Sequence, residues 1–158
     1  MSEPNPDEGL LEHRESIADD QCAWYRDLMA DRDIPSYAFF HVPPHQVDAV
    51  YDRYNSGRKP FVCDQPGDFG EINDIGGDHA CLNPDFWETA KAANCRGMFM
   101  GHDHRNNGSF MHDGIRITFG LKTGSHVSHK SDLLGGTLIR LKDDGFSVEH
   151  IYDYAPGK

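Results

Sequence analysis

The chain has 158 residues, 15 of them basic and 26 acidic, and a net charge of −11 at pH 7. This length corresponds to one domain, and the acidic surplus argues against nucleic acid or anionic lipid as a partner, because both require a basic surface. No apolar run approaches the roughly 18 residues of a membrane span, and the acidic N-terminus does not resemble a signal peptide. We therefore expect a soluble domain, in a compartment that the sequence does not specify.

The first predicted helix runs from Ser16 to about Arg32, after an acidic lead over residues 1–12 that we expect to be disordered. Its apolar face requires a sheet to cover it, so Trp24 is assigned to the core rather than to a cofactor site. That face consists of Ile17, Gln21, Trp24 and Leu28. A buried strand over Tyr37–Phe40 follows.

A second helix is predicted to open at Pro43-Pro44, with His45 in its first turn and on its surface. Residues 58–82 show no periodicity and are predicted to form a long loop that is functional or mobile. Three side chains in this loop, Asp74, Asp78 and His79, form a weaker candidate metal site. The four cysteines lack Cys-x-x-Cys spacing, so we expect buried reduced thiols, with a Cys63–Cys81 bridge as the alternative.

A third helix begins at Asn83-Pro84-Asp85, where Asn is a suitable N-cap and Pro suits the first helical position. Trp87 within this helix and the methionines of the following strand, Met98–Met100, are expected in the core. The later sequence alternates as strands do over Ile115–Phe119, and Asp143-Asp144-Gly145 predicts a hairpin turn. The order of elements therefore predicts an α+β fold, an α/β segment followed by antiparallel strands.

Histidines follow two of the predicted strands. His41 follows the first, and His102 and His104 follow the Met98–Met100 strand after a glycine. Alternate side chains of an extended chain point the same way, and parallel strands present their ends at one rim, so we expect the three imidazoles to meet. Neutral imidazoles bind Zn, Fe and Mn, and a His-rich polar loop is the alternative interpretation.

Three segments resemble motifs of the calcineurin-like metallophosphoesterases, the superfamily that includes the purple acid phosphatases. Phe39–Pro43 resembles the fourth motif, a strand that ends in one ligand His, and Gly101–His104 resembles the fifth, Gly-His-x-His. Ile115–Gly124 resembles the strand and Lys-Thr-Gly turn of the purple-acid-phosphatase-like branch. The match is collinear from about Gln21 onward, and it implies one lobe of a four-layer α/β/β/α sandwich.

The first three motifs of that family, which supply the bridging Asp, a second carboxylate and an Asn, are absent in usable form. The nearest string, Gly77-Asp78-His79, follows the fourth motif instead of preceding it. The resemblance therefore implies that residues 13–158 correspond to the C-terminal half of a phosphoesterase domain. We expect weak or no activity from this chain alone.

The resemblance also implies roles for individual residues. His41 and His102 correspond to ligands of one metal, and His104 corresponds to a ligand of the other. Asp103 is a candidate to orient a histidine by a hydrogen bond. Two more residues, Asn106 and His45, are candidates for the substrate side.

The implied function is hydrolysis of a phosphate ester with one or two Zn, Mn or Fe ions. The alternative is a non-catalytic half-domain that binds metal or oligomerises. A half-domain exposes a sheet edge and an apolar face, so we expect either a complementing N-terminal half or a homo-oligomer.

Overall fold

The structure is a computed structural model, and it describes residues 17–50, 54, 60–73 and 83–153. Helices and strands mix within these residues, so the fold is α+β as predicted. The helices are α1 (Asp19–Met29) and α2 (Pro84–Ala92), with 3₁₀ turns over His45–Asp48 and Ser131–Leu133. The strands are β1 (Ser36–Phe39), β2 (Phe61–Val62), β3 (Glu71–Ile72), β4 (Cys95–Met100), β5 (Ser109–His112), β6 (Ile115–Phe119), β7 (Gly135–Lys142) and β8 (Gly145–Tyr152).

A four-stranded sheet with the order β1-β4-β6-β5 organises the described residues. β1, β4 and β6 are parallel, with Phe39 opposite Phe99 and Phe99 opposite Thr118, and β5 runs antiparallel to β6. The C-terminal ends of three strands therefore lie at one rim, and β1 and β5 are the two edges of the sheet.

Helices cover one face of this sheet, and the β7–β8 hairpin contacts the other. Phe40 packs edge-on against Phe86 of α2, with ring centroids 5.3 Å apart. Tyr37 and Phe39 of β1 point to the opposite face. There the rings of Tyr37 and of Phe146 in the hairpin lie 5.2 Å apart, measured between their centroids. The core lies between these layers and includes Met98 and Ile117, both 0% exposed.

α2 begins where the sequence predicts. The Asn83 side chain accepts a hydrogen bond from the Asp85 N–H at 2.9 Å, and Pro84 occupies the first turn. Trp87 is 4% exposed, which confirms its core assignment. The helix therefore forms from a local cap and an apolar face that the sheet covers.

α1 forms as predicted, but the assignment of its Trp24 face to the core is wrong. Trp24 is 63% and Leu28 41% exposed, and the buried residue of the helix is Cys22. α1 lies beside β1 at the edge of the sheet, and the Arg26 guanidinium reaches Thr89 of α2 at 3.3 Å. Among the described residues there is no strand beyond β1 to cover the Trp24 face.

The segment after β1 starts helically, as a 3₁₀ turn over His45–Asp48 that continues through Val50. The Tyr54 N–H donates to the Val50 carbonyl at 2.8 Å, which is the spacing of an α-helical turn. Residues 51–53 and 55–59 lie outside the described residues.

The prediction of a structureless loop is wrong over residues 60–73, where β2 and β3 form a short antiparallel pair. Strands of two residues are too short to show an alternating pattern. The candidate metal residues Asp74, Asp78 and His79 lie outside the described residues. Cys63 is buried, but Cys81 lies outside the described residues, so their bridge stays a prediction.

The C-terminal hairpin is confirmed, with Lys142 opposite Gly145 across the predicted turn. β6 also matches its prediction, whereas β5 was not predicted. No helix among the described residues is long and apolar enough to cross a membrane.

Candidate functional site

His41 and His102 lie together at the rim where β1 and β4 end. Their ring centroids are 5.3 Å apart and the rings are nearly perpendicular, at 83°. The Gly101 N–H donates to the His41 carbonyl at 3.1 Å, so the two chains stay side by side beyond the strands. The sequence-based expectation that these two histidines meet is confirmed.

Gly101 is required by the close approach of the His41 ring. A Cβ at position 101 would lie 3.2 Å from His41 Nδ1, which is closer than ordinary contact. A larger residue would therefore displace the imidazole or separate the two strand ends.

The chain turns at His102, so the extended backbone that the prediction assumed between His102 and His104 is not present. His102 has a φ of 64°, in the left-handed region that few residues other than glycine occupy. The Asp103 N–H donates to the Gly101 carbonyl at 2.8 Å, and the Asn106 N–H donates to the Asp103 carbonyl at 3.1 Å. Such backbone strain is often found at functional sites, and here it aims the His102 ring at His41.

His104 is held by a different part of the chain. Its Nδ1 lies 2.9 Å from the Ser128 carbonyl oxygen. A carbonyl can only accept, so Nδ1 carries the proton and Nε2 keeps its lone pair when the ring is neutral. This is the arrangement by which proteins prepare a histidine to bind a metal through Nε2.

The loop that carries Ser128 is tied back to the molecule by Lys130, whose ammonium group pairs with the Glu71 carboxylate of β3. Burial pulls the pKa of Lys130 down, but the hydrogen bond and charge of Glu71, together with Asp132, outweigh burial and raise it. This ion pair therefore helps to hold in place the loop whose Ser128 carbonyl contacts His104.

The predicted cluster of three is therefore present only in part. Among the residues that the structure describes, no three His, Cys, Asp or Glu side chains are grouped closely enough to hold a metal ion. The described donors supply a pair of imidazoles, His41 and His102, and a third imidazole, His104, whose tautomer is set. They do not by themselves make a two-metal centre.

The remaining candidates have mainly structural contacts. The side chain of Asn106 is 2% exposed, and its Oδ1 accepts from the Asn73 N–H at 2.8 Å. His45 is half-buried, and its Nε2 accepts from the Gln46 side chain at 3.1 Å. Asp103 shapes the turn through its backbone, and its proposed role of orienting a histidine stays a prediction.

The sequence did not point to a hydrogen-bonded network beneath this turn, centred on Asn107. The Asn107 side chain accepts from the Glu71 N–H at 2.7 Å and donates to the Tyr152 hydroxyl at 2.8 Å. Its carbonyl accepts from His150 Nε2 at 2.8 Å, and His150 Nδ1 lies 2.9 Å from the Thr137 hydroxyl. The network joins the turn to β3 and to the hairpin, so the His102 turn rests on a fixed base.

The hydrogen bonds of this network fit a neutral His150. Burial lowers its pKa, and the hydrogen bond to the Asn107 carbonyl offsets only part of that effect. With the proton on Nε2, Nδ1 accepts from the Thr137 hydroxyl, which itself accepts from the Leu121 N–H at 2.9 Å. A lone His in an alternating strand gives no signal of such a role.

Comparisons with models of protein families, with curated proteins and with solved structures find no match to this chain. The resemblance to metallophosphoesterases therefore rests on the quoted motifs.

Proposed function

We propose that the chain is the C-terminal half of a calcineurin-like, metal-dependent phosphoesterase, forming one lobe of a four-layer α/β/β/α sandwich. The observation that carries this proposal is the His41–His102 pair, with ring centroids 5.3 Å apart at the ends of adjacent parallel strands. Sites of open parallel sheets are located at this rim. The family motifs that contain these two histidines require this proximity.

In this proposal two of the histidines bind one metal ion and the third binds another. His41 and His102 offer imidazole nitrogens to one Zn, Mn or Fe ion, and His104 offers Nε2 to a second ion. A bound ion of this kind neutralises phosphate charge and activates water. Since the chain carries a net charge of −11, metal ions are also the source of positive charge that a phosphate ester needs.

The described residues lack the carboxylate that would bridge two ions. Ligands from outside the described residues complete the site, supplied by a complementing N-terminal half or by a second copy of the chain. We therefore expect little hydrolysis of simple phosphomonoesters by the isolated chain.

The alternative proposal is a non-catalytic half-domain that binds a single metal or oligomerises. It is favoured by the lack of a three-ligand group among the described residues. The two proposals differ in whether added ligands restore turnover.

Metal binding provides the first test. After purification without chelator, we expect metal in the chain, and calorimetry should show zinc or manganese binding that His102→Ala weakens at least about tenfold, as loss of a ligand does. His112→Ala is the matched control, because His112 pairs with Ile115 at the opposite rim of the sheet, and it should bind like the wild type.

Equal affinity in the wild type and in His102→Ala would overturn the proposal. Turnover separates the two readings: activity that appears on addition of a complementing half, and that His104→Ala abolishes, supports the phosphoesterase. Vigorous turnover by the isolated chain would show that the missing-ligand argument is wrong.

A further inference from the structure

Among the described residues, the outer side of β1 has no strand paired with it. β1 pairs with β4 along one side, and no other described strand pairs with it. The Phe40 N–H donates to the Phe99 carbonyl at 3.2 Å. Because successive backbone groups of a strand alternate in direction, the N–H and C=O groups of Tyr37 and Phe39 face outward. Such an edge is a template for another strand.

An apolar groove of about 470 Å³ runs along this edge between β1 and α1. Trp24 and Leu28, one turn apart in α1, contribute to its lining and are 63% and 41% exposed. Phe39 also borders the groove, but its ring stacks on Phe99 on the other face of the sheet. Large apolar side chains that gather in one groove mark interaction sites, unlike apolar residues scattered singly. We call the outer side of β1 together with this groove the edge groove.

The rim of the edge groove is acidic. Asp20 and Asp27, four residues before and three after Trp24 in α1, are exposed and flank the indole. The arginine in this helix, Arg26, is turned away toward Thr89 of α2. Arg32, after the helix, is held on the Leu28 carbonyl at 2.7 Å, at the end of the groove away from Asp20. A second copy of the chain brings the same carboxylates and a charge of −11, so like charges oppose self-association here.

We infer that the edge groove docks an extended segment of a partner polypeptide that is apolar in its centre and basic at its ends. The segment adds to β1 as a strand through the outward groups of Tyr37 and Phe39. Its apolar side chains fill the groove beside Trp24, and its Lys or Arg residues face Asp20 and Asp27. This inference does not depend on the phosphoesterase proposal.

The test is a selection of displayed random dodecapeptides on the full chain, followed by titration of the most enriched peptide. The exposed Trp24 reports binding by fluorescence, because Trp87 is 4% exposed and shielded. We expect enrichment of peptides with alternating apolar residues and terminal Lys or Arg. Trp24→Ser should weaken binding about tenfold or more, as loss of an aromatic anchor does, with binding to that variant followed by calorimetry.

The acidic rim is tested with the double variant Asp20→Asn, Asp27→Asn. It should weaken binding about threefold and flatten the salt dependence, since rim charges contribute modestly. The matched control is Asp64→Asn, Asp113→Asn, which removes two exposed carboxylates elsewhere and should bind like the wild type.

Several outcomes would overturn the inference. These are enriched peptides that bind Trp24→Ser as well as the wild type, enrichment of acidic peptides, no enrichment at all, and equal losses in the two double variants. A dimer in light scattering, instead of the 17.8 kDa chain mass, that Trp24→Ser dissociates would identify a second copy as the occupant and would also overturn it.

Discussion

The two edges of the central sheet differ in the contacts that other described residues make with them. At the β5 edge, Phe69 and Ser109 exchange two backbone hydrogen bonds, of 3.0 and 2.8 Å. Asp68 accepts from the Met111 N–H at 3.1 Å beside them. At the β1 edge, the described residues supply the apolar groove beside Trp24 and no further strand.

From this difference we expect one edge of the sheet to serve stability and the other to serve recognition. The covered β5 edge satisfies its backbone groups internally, and its polar contacts also hold the base of the histidine turn through Asn107. β1, at the open edge, ends just before His41. Changes at the covered edge should therefore affect folding, and changes at the open edge should affect binding.

The largest effect is expected from Asp68→Ala at the covered edge. The Asp68 side chain is 2% exposed and lies 3.5 Å from the Arg116 guanidinium, and it also accepts from Tyr54 and Met111. Removing it leaves a partly buried cation without its partner, which should lower the free energy of unfolding by about 3 kcal/mol. Urea denaturation measures this loss. Asp64→Ala, at an exposed neighbouring position, should be close to neutral, and similar losses in both variants would contradict the comparison.

Gly70→Ala should produce the next largest effect. Gly70 has a φ of 79°, and a Cβ there would lie 2.2 Å from the Asn107 carbonyl oxygen. We expect a loss of about 2 kcal/mol or more, because strain adds to the clash with the backbone. Gly114→Ala is the matched control, since its φ is 81° but nothing lies within 4 Å. If both variants unfold at the same urea concentration, the close packing of β3 against Asn107 is wrong.

The pH dependence of stability should reflect His150. Its pKa is lowered in the folded state, so the unfolded chain binds a proton more readily. Its contribution to stability is present above the unfolded pKa of about 6.5 and is lost as the pH falls through the folded pKa. We expect the protein to be less stable at pH 5 than at pH 7.5 because of this group. His150→Gln should reduce that difference in urea titrations, and an unchanged pH slope would contradict the assignment.

The smallest effect on stability is expected from Trp24→Ser at the open edge. Trp24 is 63% exposed, and Trp and Ser have similar helix propensities. The free energy of unfolding should stay within about 0.5 kcal/mol of the wild type. A loss above about 2 kcal/mol, typical of a packed aromatic residue, would mean that this edge is covered in solution.

The sequence by itself determined those elements whose signals are local. The cap at Asn83 placed the start of α2, and the Asp-Asp-Gly turn placed the β7–β8 hairpin, because capping and turn chemistry act within a few residues. The proximity of His41 and His102 also followed from the sequence, since each histidine comes just after a buried strand. The sequence therefore placed two of the three candidate histidines close together.

The tertiary structure decided everything that depends on pairing between distant segments. β5 exists through its pairing with β6 and Phe69, and the β2–β3 pair is too short for a pattern in the sequence to reveal it. The exposure of Trp24 depends on which elements lie beyond β1, and the anchoring of His104 depends on a carbonyl 24 residues away. Local sequence cannot encode these contacts individually, because their free energies depend on which groups the whole fold brings together.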